Sequence, residues 1–281
     1  CSGAARVHTP HTFASLFEGR GQGGDSVGPR GLIGTLDKIL CKASQRVIHV
    51  SESERNEGAA HHIVPPSRAV VVPNGIDPLL LGDGTGDAFR ETHRIPKNVA
   101  LVGTVGLLND AKAHDLLIES FSRLEGEPHL LLVGHGELEE VLRAQVRDLG
   151  LTDRVHMPGW IDDVAGAYRA MDVFVLSSRW EGLAYALLEA MALGCPCIST
   201  EVNGSREALL GGEEEAGLLV PREDSTALAK AMNQLLGDEK ARKAFGASAA
   251  KRIVDCYTLD AMIDGTLAVY RDVIGLPEEE E

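Results

Sequence analysis

The chain has 281 residues, of which 44% are hydrophobic and 25% charged, and its formal net charge is −15. This length is ample for a hydrophobic core and suggests roughly two domains. The composition excludes a wholly disordered, collagenous or coiled-coil chain, and no run of about 18 apolar residues predicts a membrane-spanning helix. The negative charge disfavours a nucleic-acid partner, because phosphate backbones are bound by clustered lysine and arginine.

The cysteines and the first residues bear on the cellular context. The chain has five cysteines and no Cys-x-x-Cys pair, which favours a reduced, cytoplasmic protein. It begins at Cys1, so we expect that an N-terminal piece is missing. Residues 1–70 carry a small positive excess, which either faces an anionic partner or is only a solvated surface. Peripheral contact with a membrane stays open, because these residues contain no clear basic amphipathic helix.

The first third of the chain predicts only part of a domain. A glycine-rich loop over residues 18–34 precedes two apolar runs, 46–51 and 69–73, which predict buried strands. We assign residues 1–80 to a partial N-terminal domain. The polar, glycine-containing segment 81–98 is typical of a linker.

From residue 99 onward, strands and helices alternate. Buried strands are predicted at 99–106, 130–134, 154–157, 172–177, 195–200 and 217–221, and helices near 111–125, 137–149, 162–170, 183–193 and 204–210. This alternation indicates a doubly wound parallel α/β sheet. We predict a complete Rossmann-like domain over 99–260 and helix throughout 225–274. The segment 261–276 is expected to pack back on the N-terminal domain, and 277–281 to form a disordered acidic tail.

Two glutamates follow the predicted strand 172–177. Glu181 lies at its carboxyl end, where open α/β sheets bind ligands. Glu189 is the only charged residue of an apolar helix predicted over 183–193. A buried carboxylate without partners costs several kcal/mol, so Glu189 needs a partner. That partner is either an internal lysine or arginine, or the vicinal hydroxyls of a ribose.

The start of the same helix predicts an anion site. Gly182 and Leu183 stand at its N-terminus, and the first N–H groups of a helix suit a phosphate. At a second strand end, Gly106 and Leu107 precede Lys112, which we place in the first turn of the next helix. A cation there opposes the helix dipole unless an anion binds beside it.

A third strand-to-helix turn contains Gly134 and Gly136. These glycines either permit a base or ribose to approach the backbone or serve only as turn residues. The three strand ends would converge on one crevice that offers a lysine, two carboxylates and a helix terminus. This set of groups suits a nucleoside diphosphate that carries a sugar.

Other patterns are rejected. A Gly-x-Gly-x-x-Gly at 19–24 does not join a strand to a helix, so it is not a dinucleotide fingerprint. The sequence has no Asp-x-Asp, a common means of holding a metal against a sugar nucleotide, and His8 and His11 lack a third ligand. We expect neither a metal nor a cofactor.

Together these segments resemble the retaining glycosyltransferases of family 4, which have the GT-B fold. The resemblance rests on the order and spacing of Arg46–Glu52, Val72–Asp77, Val105–Ala113, Gly134–Glu137, Glu181–Pro196, Asn203–Glu207 and Gly217–Val220. It extends from about His8 to Arg271. It implies a complete C-terminal Rossmann-like domain and a partial N-terminal one, because family members usually begin with a further βαβ segment for the acceptor.

The resemblance also implies roles. Glu189 would bind the donor ribose, Glu181 the hydroxyls of the transferred sugar, and Lys112 the diphosphate. His11 would reach the transferring sugar from the N-terminal domain. The implied reaction moves a sugar from a UDP- or GDP-linked donor to a carbohydrate or lipid-linked acceptor, with retention of configuration and without a metal.

The sequence departs from the family pattern at one charged position. Leu107 replaces the arginine that normally assists Lys112, and Arg179 or Arg206 either compensates or is a surface residue. Ala113 and Ala184 replace glycines. Two alternatives therefore stay open: a degenerate, nucleotide-binding subunit, and a sugar-nucleotide 2-epimerase with the same fold.

Overall fold

The computed structural model describes residues 4–12 and 38–276. The chain divides into unit 1, which comprises Cys1–Gly75 and Leu259–Glu281, and unit 2, which comprises Ile76–Thr258. Cys1, the glycine-rich loop 18–34 and the acidic tail 277–281 lie outside the described residues.

The described elements run in the following order. The strands are β1 (Val7–His8), β2 (Arg46–His49), β3 (Ala69–Val71), β4 (Leu101–Val105), β5 (His129–Val133), β6 (Val155–Gly159), β7 (Val173–Leu176), β8 (Cys197–Thr200) and β9 (Gly217–Val220). The helices are α1 (described over 38–43), α2 (Glu52–Ala60), α3 (Gly86–Thr92), α4 (His114–Phe121), α5 (Glu139–Asp148), α6 (Val164–Ala170), α7 (Tyr185–Ala192), α8 (Ser205–Leu210), α9 (Ser225–Gly237), α10 (Glu239–Cys256) and α11 (Leu259–Ile274).

Unit 1 contains a parallel sheet in the order β1-β2-β3. The predicted strands 46–51 and 69–73 are observed as β2 and β3, each somewhat shorter. The sequence did not predict β1, because only Val7 in its two residues is apolar. Ile48 of β2 and Val72 form a buried cluster with Val269 of α11, so the C-terminal helix belongs to this unit.

Unit 2 contains a six-stranded sheet in the order β6-β5-β4-β7-β8-β9, with every neighbouring pair parallel. All six predicted strands are present. The chain builds the sheet outward in one direction from β4 and then in the other from β7. The carboxyl ends of these two strands therefore flank a topological switch point, which is where such sheets bind ligands.

The strands of unit 2 read as continuous apolar runs because both faces of the sheet are covered. Phe174 and Val175 are successive residues of β7, so their side chains point to opposite faces, and both are fully buried. Val175 belongs to a cluster with Leu117 of α4 and Met232 of α9. The packing on both faces holds the strand ends of the switch point in place.

The segment 81–98 is not a linker. It contains α3 and belongs to unit 2. Arg90 of α3 is buried, and its guanidinium donates two hydrogen bonds to the carbonyl oxygen of Ala170 and one to Asp172. A polar, glycine-containing composition concealed this contact, because arginine is usually exposed and its partners lie about 80 residues away.

Two helix boundaries also differ from the predictions. Ala113 has a φ of 49°, in the left-handed region, and separates a 3₁₀ turn at Asp110–Lys112 from α4. Lys112 therefore precedes the helix rather than lying in its first turn. The helix predicted throughout 225–274 is interrupted at Asp238, which caps α10, and again between α10 and α11.

Within residues 4–12 and 38–276, no helix has both the length and the apolar character that a bilayer crossing requires.

Candidate active site

A cavity of about 380 Å³ lies at the carboxyl ends of β4 and β5 in unit 2. Four predicted site residues line it: Gly106, Leu107, Gly134 and Glu189. Trp160 and His135 also line it, and their rings meet edge to face with centroids 5.7 Å apart. The cavity combines largely apolar walls with two acidic residues, Asp162 and Glu189, and ligand pockets are commonly apolar with a few polar groups.

Glu189 is half-buried on α7 and has a hydrogen-bond donor from a neighbouring helix. The hydroxyl of Tyr168, on α6, donates to Oε2 of Glu189 at 2.7 Å. Among the described residues, no lysine or arginine forms an ion pair with Glu189, which removes one of the two partners that the sequence allowed. The sequence analysis missed Tyr168. The feature that could have identified it is its place as the only aromatic residue of α6, whose other buried residues are alanine and glycine.

Burial fixes Tyr168 as a donor. Its side chain is fully buried and its ring contacts Phe174 at a centroid distance of 5.7 Å. This burial, together with the charge of Glu189, raises the pKa of Tyr168 well above its usual value. The phenol therefore keeps its proton.

Lys112 lies beside the cavity, and its charge is already paired. A Cβ at Gly106 would lie 3.5 Å from Cε of Lys112, which places the lysine stem in contact with this cavity-lining glycine. The ammonium lies 2.5 Å from Oε1 of Glu181. The hydroxyl of Ser178 donates to the same carboxylate oxygen at 2.7 Å. The two residues that the resemblance assigned to different parts of a donor therefore contact each other.

The loop that carries Lys112 is tied to the end of β7. Ser177 donates to the carbonyl oxygen of Lys112 at 2.8 Å, and the N–H of Arg179 donates to the carbonyl oxygen of Ala111 at 2.8 Å. The side chain of Asn109 caps the turn by accepting from the N–H of Lys112. These hydrogen bonds connect the loop after β4 to the residues after β7, the two strands that flank the switch point.

Arg179 does not replace the missing arginine at Leu107. Its guanidinium forms ion pairs with Asp110, Asp115 and Glu223. Burial alone would raise the pKa of Asp115, but the hydrogen bond and charge of Arg179 outweigh it and lower that pKa. The other candidate, Arg206, is exposed and paired with Glu201. Both arginines are therefore engaged elsewhere.

The glycines of the β5 turn have a structural role that needs no ligand. Gly134 has a φ of 135°, and a Cβ there would lie 1.9 Å from the carbonyl oxygen of Gly106. A Cβ at Gly136 would lie 2.3 Å from the carbonyl oxygen of Leu108. Close approach of the β4 and β5 loops therefore explains both glycines.

The predicted anion site lies at the start of α7. The helix begins at Tyr185, so Gly182 and Leu183 precede it rather than forming its first turn. Ala184 is the N-cap and supplies no side-chain hydrogen bond. Ala184 as the N-cap therefore adds no side-chain acceptor to the positive end of the α7 dipole.

The remaining predicted site residue, His11, lies in unit 1 after β1. It is exposed and has a φ of 57°, a conformation that non-glycine residues adopt uncommonly and that clusters at functional sites. Its contact with a transferring sugar stays a prediction. Among the described residues, no group of three or more His, Cys, Asp or Glu side chains is arranged to hold a metal ion.

Comparison with known proteins agrees with this description. Residues 86–252 match the family described as Glycosyl transferases group 1, and residues 2–79 match the family described as Glycosyltransferase Family 4. The first of these matches contains every predicted site residue of unit 2.

Individual relatives are longer than this chain. A D-inositol 3-phosphate glycosyltransferase from Kineococcus radiotolerans is 32% identical over 95% of this chain and 66% of its own. This chain spans about half to two thirds of the length of several such curated relatives.

Solved structures confirm the predicted α/β class and GT-B fold. Sucrose-phosphate synthase from Thermosynechococcus elongatus superposes with a TM-score of 0.83 at 25% identity, over 96% of this chain and 68% of that one. The Anabaena protein HepE, solved in complex with UDP-glucose, has a TM-score of 0.78 at 20% identity, over 96% of this chain and 72% of its own.

Proposed function

Because the chain belongs to the Glycosyl transferases group 1 family, we propose that it transfers a sugar from a nucleoside diphosphate to the hydroxyl of a carbohydrate or lipid-linked acceptor. The observation that carries this proposal is the crevice at the switch point of unit 2. There, Glu189 lines an apolar cavity beside Gly106, and Gly106 contacts the stem of Lys112.

The cavity accommodates the nucleoside. Its walls offer two aromatic rings, His135 and Trp160, against which a base can pack. The Glu189 carboxylate accepts hydrogen bonds from the ribose hydroxyls. UDP and GDP are the two candidate nucleotides, and the bound UDP-glucose of Anabaena HepE supports the first.

Lys112 and the start of α7 stabilise the leaving diphosphate. The acceptor oxygen attacks the anomeric carbon on the face from which the diphosphate departs, so configuration is retained. The bond from this carbon to the phosphate oxygen breaks, and the departing phosphate takes the proton of the acceptor. Negative charge grows on that phosphate, where a fixed ammonium and a helix dipole lower the barrier without a metal.

A non-catalytic, nucleotide-binding subunit is the second candidate, and one observation favours it. Leu107 occupies the cavity wall where an arginine would add a second positive charge, and neither Arg179 nor Arg206 is available to replace it. Such a protein would bind the nucleotide and leave the sugar in place.

Calorimetric titration with UDP and with GDP tests nucleotide binding, which both candidate functions require. We expect one nucleotide to bind, with the same affinity in EDTA and in Mg²⁺, and binding to be lost in Glu189→Ala. The exposed Glu140 on α5 provides a matched control, Glu140→Ala, which should bind as the wild type does. A folded sample that binds neither nucleotide would refute the proposal.

Turnover separates the two candidates. With UDP-glucose or GDP-mannose and an acceptor mixture, a transferase forms a new glycoside of retained configuration, whereas a binding subunit returns the donor unchanged. A transferase should also lose this activity in Lys112→Ala.

A further inference from the structure

We infer that Tyr168 is a positioning residue for nucleotide recognition: its buried hydroxyl holds the Glu189 carboxylate in the orientation that accepts the ribose hydroxyls. This inference rests on the proposed function and assigns a role to a residue outside the cavity. The contact that carries it is the 2.7 Å hydrogen bond from the Tyr168 hydroxyl to Oε2 of Glu189.

The position of Tyr168 suits this role. It lies on α6, a helix in which its neighbours Ala165, Gly166, Ala167 and Ala170 are also buried. Its ring is held between the helix and the sheet through its contact with Phe174. A hydroxyl carried by such a fixed ring defines one point in space, so the hydrogen bond removes rotational freedom from the glutamate side chain.

The surroundings of Glu189 explain why a fixed hydrogen-bond donor affects its orientation. Its side chain leaves an otherwise apolar helix, where Leu188 and Ala190 on either side are fully buried. A half-buried carboxylate can turn toward water or toward the cavity, and only the second orientation meets a ribose. A hydrogen bond to a charged acceptor contributes more than one between neutral groups.

The hydrogen bond from Tyr168 leaves acceptor positions on the Glu189 carboxylate for the ligand. An ionised carboxylate has about four acceptor positions on its two oxygens, and Tyr168 occupies one of them on Oε2. Two vicinal hydroxyls can therefore bind the remaining positions without displacing the phenol. Tyr168 acts through Glu189 and does not itself contact the nucleotide.

Calorimetry on the whole chain tests this role with Tyr168→Phe, which keeps the ring and removes only the oxygen. The probes are UDP and 2′-deoxy-UDP, with GDP and 2′-deoxy-GDP as the second pair. We expect the ribonucleotide to bind about tenfold more weakly, and the preference for it over the deoxynucleotide to shrink by a similar factor. A merely structural role would weaken both ligands equally and leave that preference unchanged.

One further variant completes the design. Tyr257→Phe removes the hydroxyl of another buried tyrosine of unit 2 and should leave affinity and preference as in the wild type. Thermal melting of each variant confirms that it is folded.

The outcomes distinguish the two proposals. If the wild type binds neither UDP nor GDP, the proposed function fails and this inference fails with it. If the wild type binds and Glu189→Ala does not, while Tyr168→Phe retains the full ribose preference, the proposed function stands and the role of Tyr168 is overturned.

Discussion

The ammonium of Lys112 lies 2.5 Å from the Glu181 carboxylate, so the candidate diphosphate site contains a neutralised ion pair. Both side chains are mostly buried, with exposed fractions of 22% and 13%. A pair in this position is only weakly screened by water and salt. A diphosphate must therefore compete with Glu181 for the lysine.

Replacing Glu181 with glutamine should strengthen the binding of UDP or GDP. The substitution keeps the shape of the side chain and removes the charge that competes with the diphosphate for Lys112. We expect a three- to tenfold lower Kd, corresponding to about 1 kcal/mol of relieved competition. Calorimetry measures it, and Glu223→Gln, which removes a partner of Arg179 instead, serves as control. Unchanged or weaker nucleotide binding in Glu181→Gln would contradict the competition.

Restoring an arginine at Leu107 should strengthen nucleotide binding and raise any transfer rate. Leu107 lines the cavity and is 51% exposed, so a longer side chain can be accommodated toward solvent. A second cation near the diphosphate should lower the Kd about tenfold, and transition-state stabilisation of about 2–4 kcal/mol is the upper range for such a contact. Leu107→Met is the neutral control. If Leu107→Arg binds no better than Leu107→Met, this position does not face the diphosphate.

Replacing Arg90 with alanine should destabilise unit 2. The substitution leaves the carbonyl oxygen of Ala170 and the Asp172 carboxylate without their charged donor. The expected loss is about 3 kcal/mol, or a melting temperature lower by about 10 °C. Scanning calorimetry measures it. The exposed Arg147 gives the matched control Arg147→Ala, and a melting temperature equal to that of the control would mean that α3 is held by its apolar contacts alone.

Stability should fall as the pH is lowered from about 6.5 to 4, in part because of His114. Burial, and next the charge of Lys112, lower the pKa of His114 to about 4. Between these two pH values the unfolded chain binds a proton at this histidine and the folded chain does not. The stabilisation is therefore complete above pH 6.5 and is lost progressively toward pH 4, by about 3 kcal/mol at most.

Urea unfolding of the wild type and of His114→Gln across this pH range tests the prediction. The variant should show a shallower decline, whereas His61→Gln, at an exposed position, should decline as the wild type does. Burial also lowers the pKa values of His129 and His156, so both contribute in the same direction and some slope should persist. Parallel curves for the wild type and His114→Gln would show that other groups account for the decline.

The sheet of unit 2 could be predicted from the sequence because an apolar run followed by a helical pattern is a local feature of the chain. Six apolar runs, each followed by a helical pattern, were sufficient to place β4 to β9. They also placed Gly106, Gly134 and Glu181 at strand ends, since all parallel strands present their carboxyl ends on one edge. Glu189 was singled out in the same way, as one charge within an apolar helix.

Two corrections came from features that periodicity does not encode. The segment 81–98 looked polar, yet Phe89 of α3 is buried and Arg90 ties the segment to unit 2 through carbonyl groups whose positions depend on the folded backbone. The helix after β4 was expected to contain Lys112, yet Ala113 adopts a left-handed conformation that glycine more often occupies.

The sequence by itself therefore determined the fold class, the strand ends and the residue types gathered there. Only the tertiary structure decided which of those groups pair. Lys112 and Glu181 are 69 positions apart in the chain, and Tyr168 and Glu189 are 21 apart. Apolar periodicity reports which face of an element is buried, whereas an ion pair or hydrogen bond depends on distances of a few ångströms between side chains of separate elements. Packing sets those distances, and with them the charge that a ligand would meet.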